Sequence, residues 1–440
     1  GLGGNYVPAF QDESLSPLYA FPTDDLYGLL YGASESDPLK GALLLAVGRL
    51  PVNSAEQASA VVEKIIRYEK DPAGMKDWRN TLVFVADDGD GNLHLRQADG
   101  IAEDMAEKYP VMNQEKVYLD AFPREATPGG IRFPKATEQL NELVYQGALA
   151  VTYLGHGGPK GWAQERVLNI SDIVQWEPPA RLPIFITATC TFTGFDDPTF
   201  VTAGEEVLLN EMGGAPALLT TVRAVTTSGN ERLTRNTLDQ LLSRPEGGMR
   251  KTLGESYMQG KNATGDGDNT RKFALIGDPA MPLMLPQQPI RTLTINGREV
   301  AGGAAVTDTL QALQRVRIRG AVLGEDGEVD AGFNGTVTPV LYDKVQTVQT
   351  LGQGGNQVQA YRLQQNVLFR GKASVSNGQF EFSFVVPKDI DYKYGPGKLS
   401  YYAADESSLA DAVGSYEGVV IGGTSPDAIA DEQGPKVEVF

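Results

Sequence analysis

From residue 43 to about 285, apolar runs of strand length alternate with stretches whose apolar residues recur at helical spacing. That alternation predicts an α/β fold, a mainly parallel sheet covered by helices. The runs lie at 43–52, 81–88, 116–120, 148–157, 183–190 and 215–223. Several are apolar almost throughout, as strands buried on both faces are. Residues 53–70 predict a helix, because Ser54 and Gln57 form a capping box and Ala58, Val61, Ile65 and Tyr68 share one face. Segments 99–109, 136–147, 203–214 and 229–243 predict further helices, and the pair Gly213–Gly214 suits the end of the third of these.

The texture changes after the Pro-rich stretch 277–289. Residues 378–386 place Phe380, Phe382, Phe384 and Val386 on one face at period two, the pattern of a strand covering a sandwich core. Segments 316–323 and 398–405 predict two more strands, and helices are not expected there. The expected organisation is an α/β domain over 1–288, an immunoglobulin-like β-sandwich over 289–430, and the first strand of a truncated further segment over 431–440.

Charge and composition narrow the function. The formal charge of −18 argues against a nucleic-acid partner, which would need clustered Lys and Arg. No apolar run approaches the roughly 20 residues of a membrane helix. The N-terminal residues lack the charged and apolar regions of a secretory signal, so any signal peptide is expected to lie outside this chain. One cysteine among 440 residues cannot make an internal disulfide, which leaves the redox compartment open.

That cysteine, Cys190, ends an apolar run, and one of only two histidines, His156, ends another inside Gly-His-Gly-Gly. In α/β folds the carboxyl edge of the sheet is where ligands bind. An imidazole can take the thiol proton and return it to a leaving amine, and the N–H groups of Gly157 and Cys190 would suit an oxyanion hole. A lone cysteine at a strand end is equally what a small buried filler looks like, and the residues leave both readings standing. Asp87 or Asp88 could support the imidazole as the third member of a triad. Asp88, Asp90 and Asn92 in Asp-Gly-Asp-Gly-Asn partly match a calcium loop, with Asp99 where a distal Glu is expected. A plain acidic turn is the competing account. The thiol–imidazole chemistry itself requires no cofactor.

Taken in order, "LGHGG", "FITATCTFTGFDD" and "FALIGDPAMPL" resemble the gingipain-type cysteine peptidases, as do "FPTDDLYGLLYG" and "AVGRLPV" followed by "KIIRYE". The resemblance runs from about residue 20 to 285 and implies a caspase-like catalytic domain. It makes His156 the general base and acid, Cys190 the nucleophile, Gly157 and Cys190 the oxyanion donors, and Asp87 or Asp88 the supporting carboxylate. Segments 204–230 and 369–405 are similar to the sortase branch of that family, which serves the type IX secretion system. That branch implies an exported enzyme at the cell surface and outer membrane. Its implied partners are the C-terminal signal domains of secreted cargo, an amine on anionic lipopolysaccharide as acceptor, and an outer-membrane partner protein. No counterpart of the acidic S1 pocket of the arginine- and lysine-specific members is identifiable. A secreted endopeptidase and a non-catalytic cargo-binding scaffold are the alternatives.

Overall fold

Five of the six apolar runs become strands of one sheet. The computed structural model describes residues 7–12, 20–30, 37–177, 180–197, 199–244, 251–265, 267–300 and 308–426. The chain divides into one unit formed by 1–286 with 347–363 and a second formed by 287–346 with 364–440. The sequence-based boundary at 288 thus misses one feature: a hairpin inside the β-rich region belongs to the first unit. Segment 431–440 lies outside the described residues.

In the first unit, helix α1 (Ala55–Lys70) precedes strand β1 (Thr81–Ala86), helix α2 (Gly89–Lys108) and strand β2 (Asn113–Tyr118). Helix α3 (Pro134–Gln146), strands β3 (Ala150–Leu154) and β4 (Ile184–Ala188), helix α4 (Ala203–Leu209) and strand β5 (Leu218–Thr221) follow. Helices α5 (Thr227–Leu242) and α6 (Leu253–Thr264) lead to strand β6 (Phe273–Ile276). The sheet order is β6-β5-β4-β3-β1-β2, parallel except for β6 at the edge. The inner strands β3, β4 and β5 are buried at every residue, which is why they read as unbroken apolar runs.

Three expectations change. Run 43–52 is not a strand: it bridges the sheet only where Arg49 meets Ile276, and Leu44 and Leu45 are exposed. An apolar run becomes a strand only where a neighbour takes its hydrogen bonds, and this one exchanges them with the edge strand β6 at Arg49 alone, whose N–H donates to Leu275 O and whose carbonyl accepts from Gly277 N–H. The α2 span opens at Gly89, ten residues before the expected 99, but Asp90, Gly91 and Asn92 are left-handed, so regular helix begins only after Asn92. Helix α4 stops at Leu209, before the glycine pair, because the Asn210 amide group turns the chain. Its nitrogen donates to Ile173 O and Trp176 O, and its oxygen accepts from the N–H groups of Met212 and Gly213. At α1 the capping is as expected on one side, Ser54 Oγ accepting from Gln57 N–H at 3.2 Å. The Gln57 side chain reaches back to Asn53 N–H, one residue earlier than a standard box requires.

One helix carries a charge inward. Lys64 on α1 is 1% exposed and donates to Leu208 O at 2.7 Å. Burial, with Arg67 adding to it, pulls this amine down to about 7, against the opposing pull of Glu206 and Glu211. Between pH 7 and the ordinary lysine range the unfolded chain therefore binds the extra proton, so this group makes stability rise with pH across that window. Lys64→Met is expected to stabilise the chain near neutral pH by roughly 3 kcal/mol, after allowance for the lost hydrogen bond, and to flatten that rise. Urea denaturation at about pH 6 and about pH 9 reads both effects.

The second unit is built from strands, with no α-helix among its described residues. They include β7 (Gln288–Ile295), β8 (Arg315–Val322), β9 (Gly335–Tyr342), β10 (Val367–Arg370), β11 (Gln379–Val385), β12 (Lys398–Asp405) and β13 (Ala410–Tyr416), in the order β10-β9-β12-β13-β7-β8-β11. In β11, Phe380, Phe382 and Phe384 are buried while their neighbours are exposed, as the period-two pattern predicts. Their rings join Phe369 and Tyr401 in one aromatic cluster.

Candidate active site

Register decides what the carboxyl edge of the sheet brings together. Leu154, the last residue of β3, pairs with Ala86 of β1 on one side and with Ala188 of β4 on the other. Asp87 and Asp88 follow Ala86, Gly155 and His156 follow Leu154, and Thr189 and Cys190 follow Ala188. Parallel neighbours lie about 4.8 Å apart, so His156 and Cys190, each two residues past the paired ends, leave the sheet about one strand spacing from each other.

The loops are held rather than loose. After His156 the chain forms a small hairpin, Gly157–Gly158 against Gly161–Trp162, over a stack of Tyr153 on Trp162 with ring centroids 4.3 Å apart. Tyr153 Oη donates to His156 O at 2.6 Å. A Cβ at Gly157 would sit 2.5 Å from Thr189 Oγ1 and 2.9 Å from Gly161 O, so only glycine lets this turn lie against the cysteine loop. On that loop Thr193 N–H donates to Thr221 O and Thr191 takes a left-handed φ of 45°. Phe192 is fully buried while Cys190 between strand and loop is half-buried. Cys190 is thus neither sealed in the core nor fully exposed.

The carboxylates divide their work. Asp87 is 2% exposed and accepts the main-chain N–H of His156 at 2.9 Å and that of Gly89 at 3.2 Å. It therefore anchors the histidine's backbone. The imidazole Nε2 of His156 instead lies 3.2 Å from Asp90 Oδ2. Gly89 gives the ring its place, since a Cβ there would fall 2.8 Å from His156 Cδ2. Asp88 points elsewhere: burial, then Glu165 and Asp87, push its carboxyl up to about 7. Its carboxylate groups with those of Asp87 and Glu165.

His94, which the sequence offered no role beyond its place near the acidic turn, is the second imidazole of the site. Its ring meets that of His156 edge-on, with centroids 5.1 Å apart, and burial lowers its basicity. It stands four residues after Asp90, but the left-handed residues 90–92 lie between, so the two meet through the turn and helical spacing in the sequence gives no signal for it.

The side chains of the expected calcium loop, Asp88, Asp90 and Asn92, each have other partners in this turn. Asp90, Gly91 and Asn92 all have left-handed φ, of 54°, 65° and 63°. Asp90 faces imidazoles, Asp88 faces Glu165, and the Asn92 amide donates to Asp120 Oδ2 and Gln357 O. Asp99 binds Lys116 at 2.7 Å instead of closing a loop. The hairpin at 347–363 completes the support: Asn356 donates to Asp88 O at 2.8 Å, and buried Asp120 accepts from Gln353 N–H at 2.8 Å. Sequence reading had no signal for this contact, because 268 residues separate Asn356 from Asp88.

Further back, the Asp24-Asp25 pair of the "FPTDD" stretch is buried, Asp24 on Arg49 and Asp25 on Lys261 and Arg271. Among the described residues no helix is long and apolar enough to cross a membrane.

Residues 2–284 match the model of peptidase family C25. In fold the chain is similar to the Arg-specific cysteine proteinase gingipain R (RgpB), with a TM-score of 0.51 at 15% identity over 94% of this chain and 81% of that one. The complex of Porphyromonas gingivalis RgpB pro- and mature domains gives a TM-score of 0.50 at 16% identity, over 93% and 82% of the two chains. Dimeric latent PorU from Porphyromonas gingivalis aligns at 25% identity over 96% of this chain and 34% of its own, with a TM-score of 0.36. No curated protein matches the sequence.

Proposed function

Because this chain belongs to peptidase family C25, the gingipain family of cysteine peptidases, we propose that it cleaves peptide bonds through a thioester on Cys190, with His156 moving the proton. The observation that supports this reading is the register Ala86–Leu154–Ala188, which lines up one carboxylate, one imidazole and one thiol at a single sheet edge.

In this reading Cys190 Sγ attacks the scissile carbonyl as His156 accepts the thiol proton. The oxyanion that forms is met by the N–H groups of Gly157 and Cys190. When the intermediate collapses, the C–N bond breaks, His156 returns its proton to the leaving amine, and the acyl group stays on sulfur. Asp87 fixes the main chain of His156, and Asp90 supplies the negative charge beside the imidazolium. Water or a second amine then attacks the thioester while His156 takes its proton, the C–S bond breaks, and the proton passes back to Cys190 Sγ, restoring the thiol and the neutral ring.

The finer proposal is a sortase. Cargo is cut from its C-terminal signal domain, held as the thioester, and passed to an amine on anionic lipopolysaccharide at the cell surface, with an outer-membrane partner protein assisting. Its support is the sequence likeness of segments 204–230 and 369–405 to the sortase branch. The chain's net charge of −18 opposes an anionic acceptor, so the transfer calls for divalent cations or local basic groups between them. Incubation with a signal-domain cargo and a small primary amine is expected to yield amine-capped cargo by mass spectrometry. Free carboxyl product alone, together with fast turnover of unrelated Arg or Lys peptides, would favour a plain endopeptidase. Cargo bound without any covalent adduct would favour a scaffold.

The thiol can be tested without cargo. Iodoacetamide is expected to label Cys190 quickly well below the free-thiol range near pH 8.5, and His156→Ala is expected to slow that labelling at least about 10-fold. Equal rates in the two proteins would remove His156 as the activating base.

A further inference from the structure

We infer that the His94–His156–Asp87–Asp90 cluster is a binding site for a divalent transition-metal ion of the zinc class, and that such an ion holds the His156 imidazole in a reversibly inactive state.

The geometry carries this in three steps. Asp87, His94 and His156 each bring one ligand atom to within 4.8 Å of the others. Asp90 Oδ2 stands 3.2 Å from His156 Nε2 and 3.4 Å from His94 Nε2. With metal–ligand bonds of about 2.0–2.1 Å, the edge of a zinc coordination tetrahedron is about 3.3 Å, so each of the two separations from Asp90 Oδ2 to an imidazole nitrogen already matches such an edge.

The second observation is independent of spacing. His94 is 4% exposed, and its Nε2 is a buried nitrogen without a hydrogen-bond partner among the described residues, although Asp90 lies near it. A buried polar atom left in that state costs free energy unless something fills the place it faces. A cation between the imidazoles would use the lone pair of that nitrogen, the lone pair of His156 and the carboxylate charge together.

The donor set chooses the metal. Two imidazoles with carboxylates suit zinc and its transition-metal neighbours, whereas calcium and magnesium take oxygen ligands almost alone. The consequence for catalysis rests on His156 being the base: its lone pair cannot serve a metal and a thiol proton at once. The binding itself does not depend on that reading.

Zinc chloride titrated calorimetrically into the intact chain carrying Cys190→Ala, which removes the thiol as a ligand, is expected to show one ion per chain. His94→Gln and, separately, Asp90→Asn are each expected to weaken that binding at least about 10-fold, while calcium fails to compete. In the chain with its cysteine, stoichiometric zinc is expected to slow iodoacetamide labelling, and a chelator to restore it. Absence of saturable zinc binding in the Cys190→Ala chain, or full-strength binding in both substituted chains, overturns the proposal. Labelling that zinc leaves unchanged overturns its inhibitory half. Zinc binding that survives alongside labelling insensitive to His156→Ala would sink the catalytic role of His156 and leave the metal site in place, so the two failures are told apart.

Discussion

Cys190→Ala is expected to abolish peptide-bond cleavage, lowering kcat/KM by about 10⁴-fold or more, while leaving the fold intact. The half-buried thiol sits past the end of β4 (Ile184–Ala188), and its loop is pinned by buried neighbours on either side, Thr189 and Phe192. Alanine removes the sulfur and little else, so the change in stability should stay within about 1 kcal/mol. His156→Ala should cost a similar factor, because a thiol without its base and a base without its thiol fail at the same step. The double substitution should then be no worse than either single one, the mark of residues acting as a unit. Cleavage assays on the three proteins, with thermal unfolding as a control, read this directly. Cleavage by a folded Cys190→Ala chain would transfer the chemistry to another residue.

The second large effect separates the two carboxylates. Asp87→Ala should lower kcat/KM by at least about 10²-fold, because two partly buried N–H donors, those of His156 and Gly89, lose their acceptor. Each orphaned donor costs about 1–3 kcal/mol, and relief comes only by moving the loop that carries the imidazole. Asp90→Asn should cost less, no more than about 10-fold, since this carboxylate is half exposed and solvent partly replaces its charge. If the ranking were reversed, with Asp90→Asn the more damaging, the charge beside the ring would outweigh the anchoring of its backbone. The sequence expected one of Asp87 or Asp88 to serve the imidazole. In the structure Asp87 serves its backbone, Asp90 its ring, and Asp88 neither.

Much of this was open to reading in advance. Strands buried on both faces announce themselves as apolar runs, and a helix with one buried face announces itself by its spacing, because both patterns are local. Run 43–52 shows the limit of that logic: apolar residues were present, yet the run meets the edge strand only at Arg49, and how far a segment lies along a neighbour is not written in the segment itself. Strand β6 (Phe273–Ile276) shows the converse, too short at four residues to declare itself. The hairpin at 347–363 was unreadable for a different reason, since its hydrogen bonds to Asp88 and Asp120 join residues more than 200 positions apart.

By itself the sequence determined that the chain has one thiol and two imidazoles, that Cys190 and His156 stand in polar, glycine-bearing loops at strand ends, and that an aromatic-faced strand unit follows. Those are properties of composition and of residues within one turn or one strand of each other. Only the tertiary structure decided that Leu154 stands between Ala86 and Ala188, that His94 faces His156, and that Asp90 meets both rings. Register is set by how whole elements bury their apolar faces against one another, and it carries the side chains at their ends into contact through space rather than along the chain.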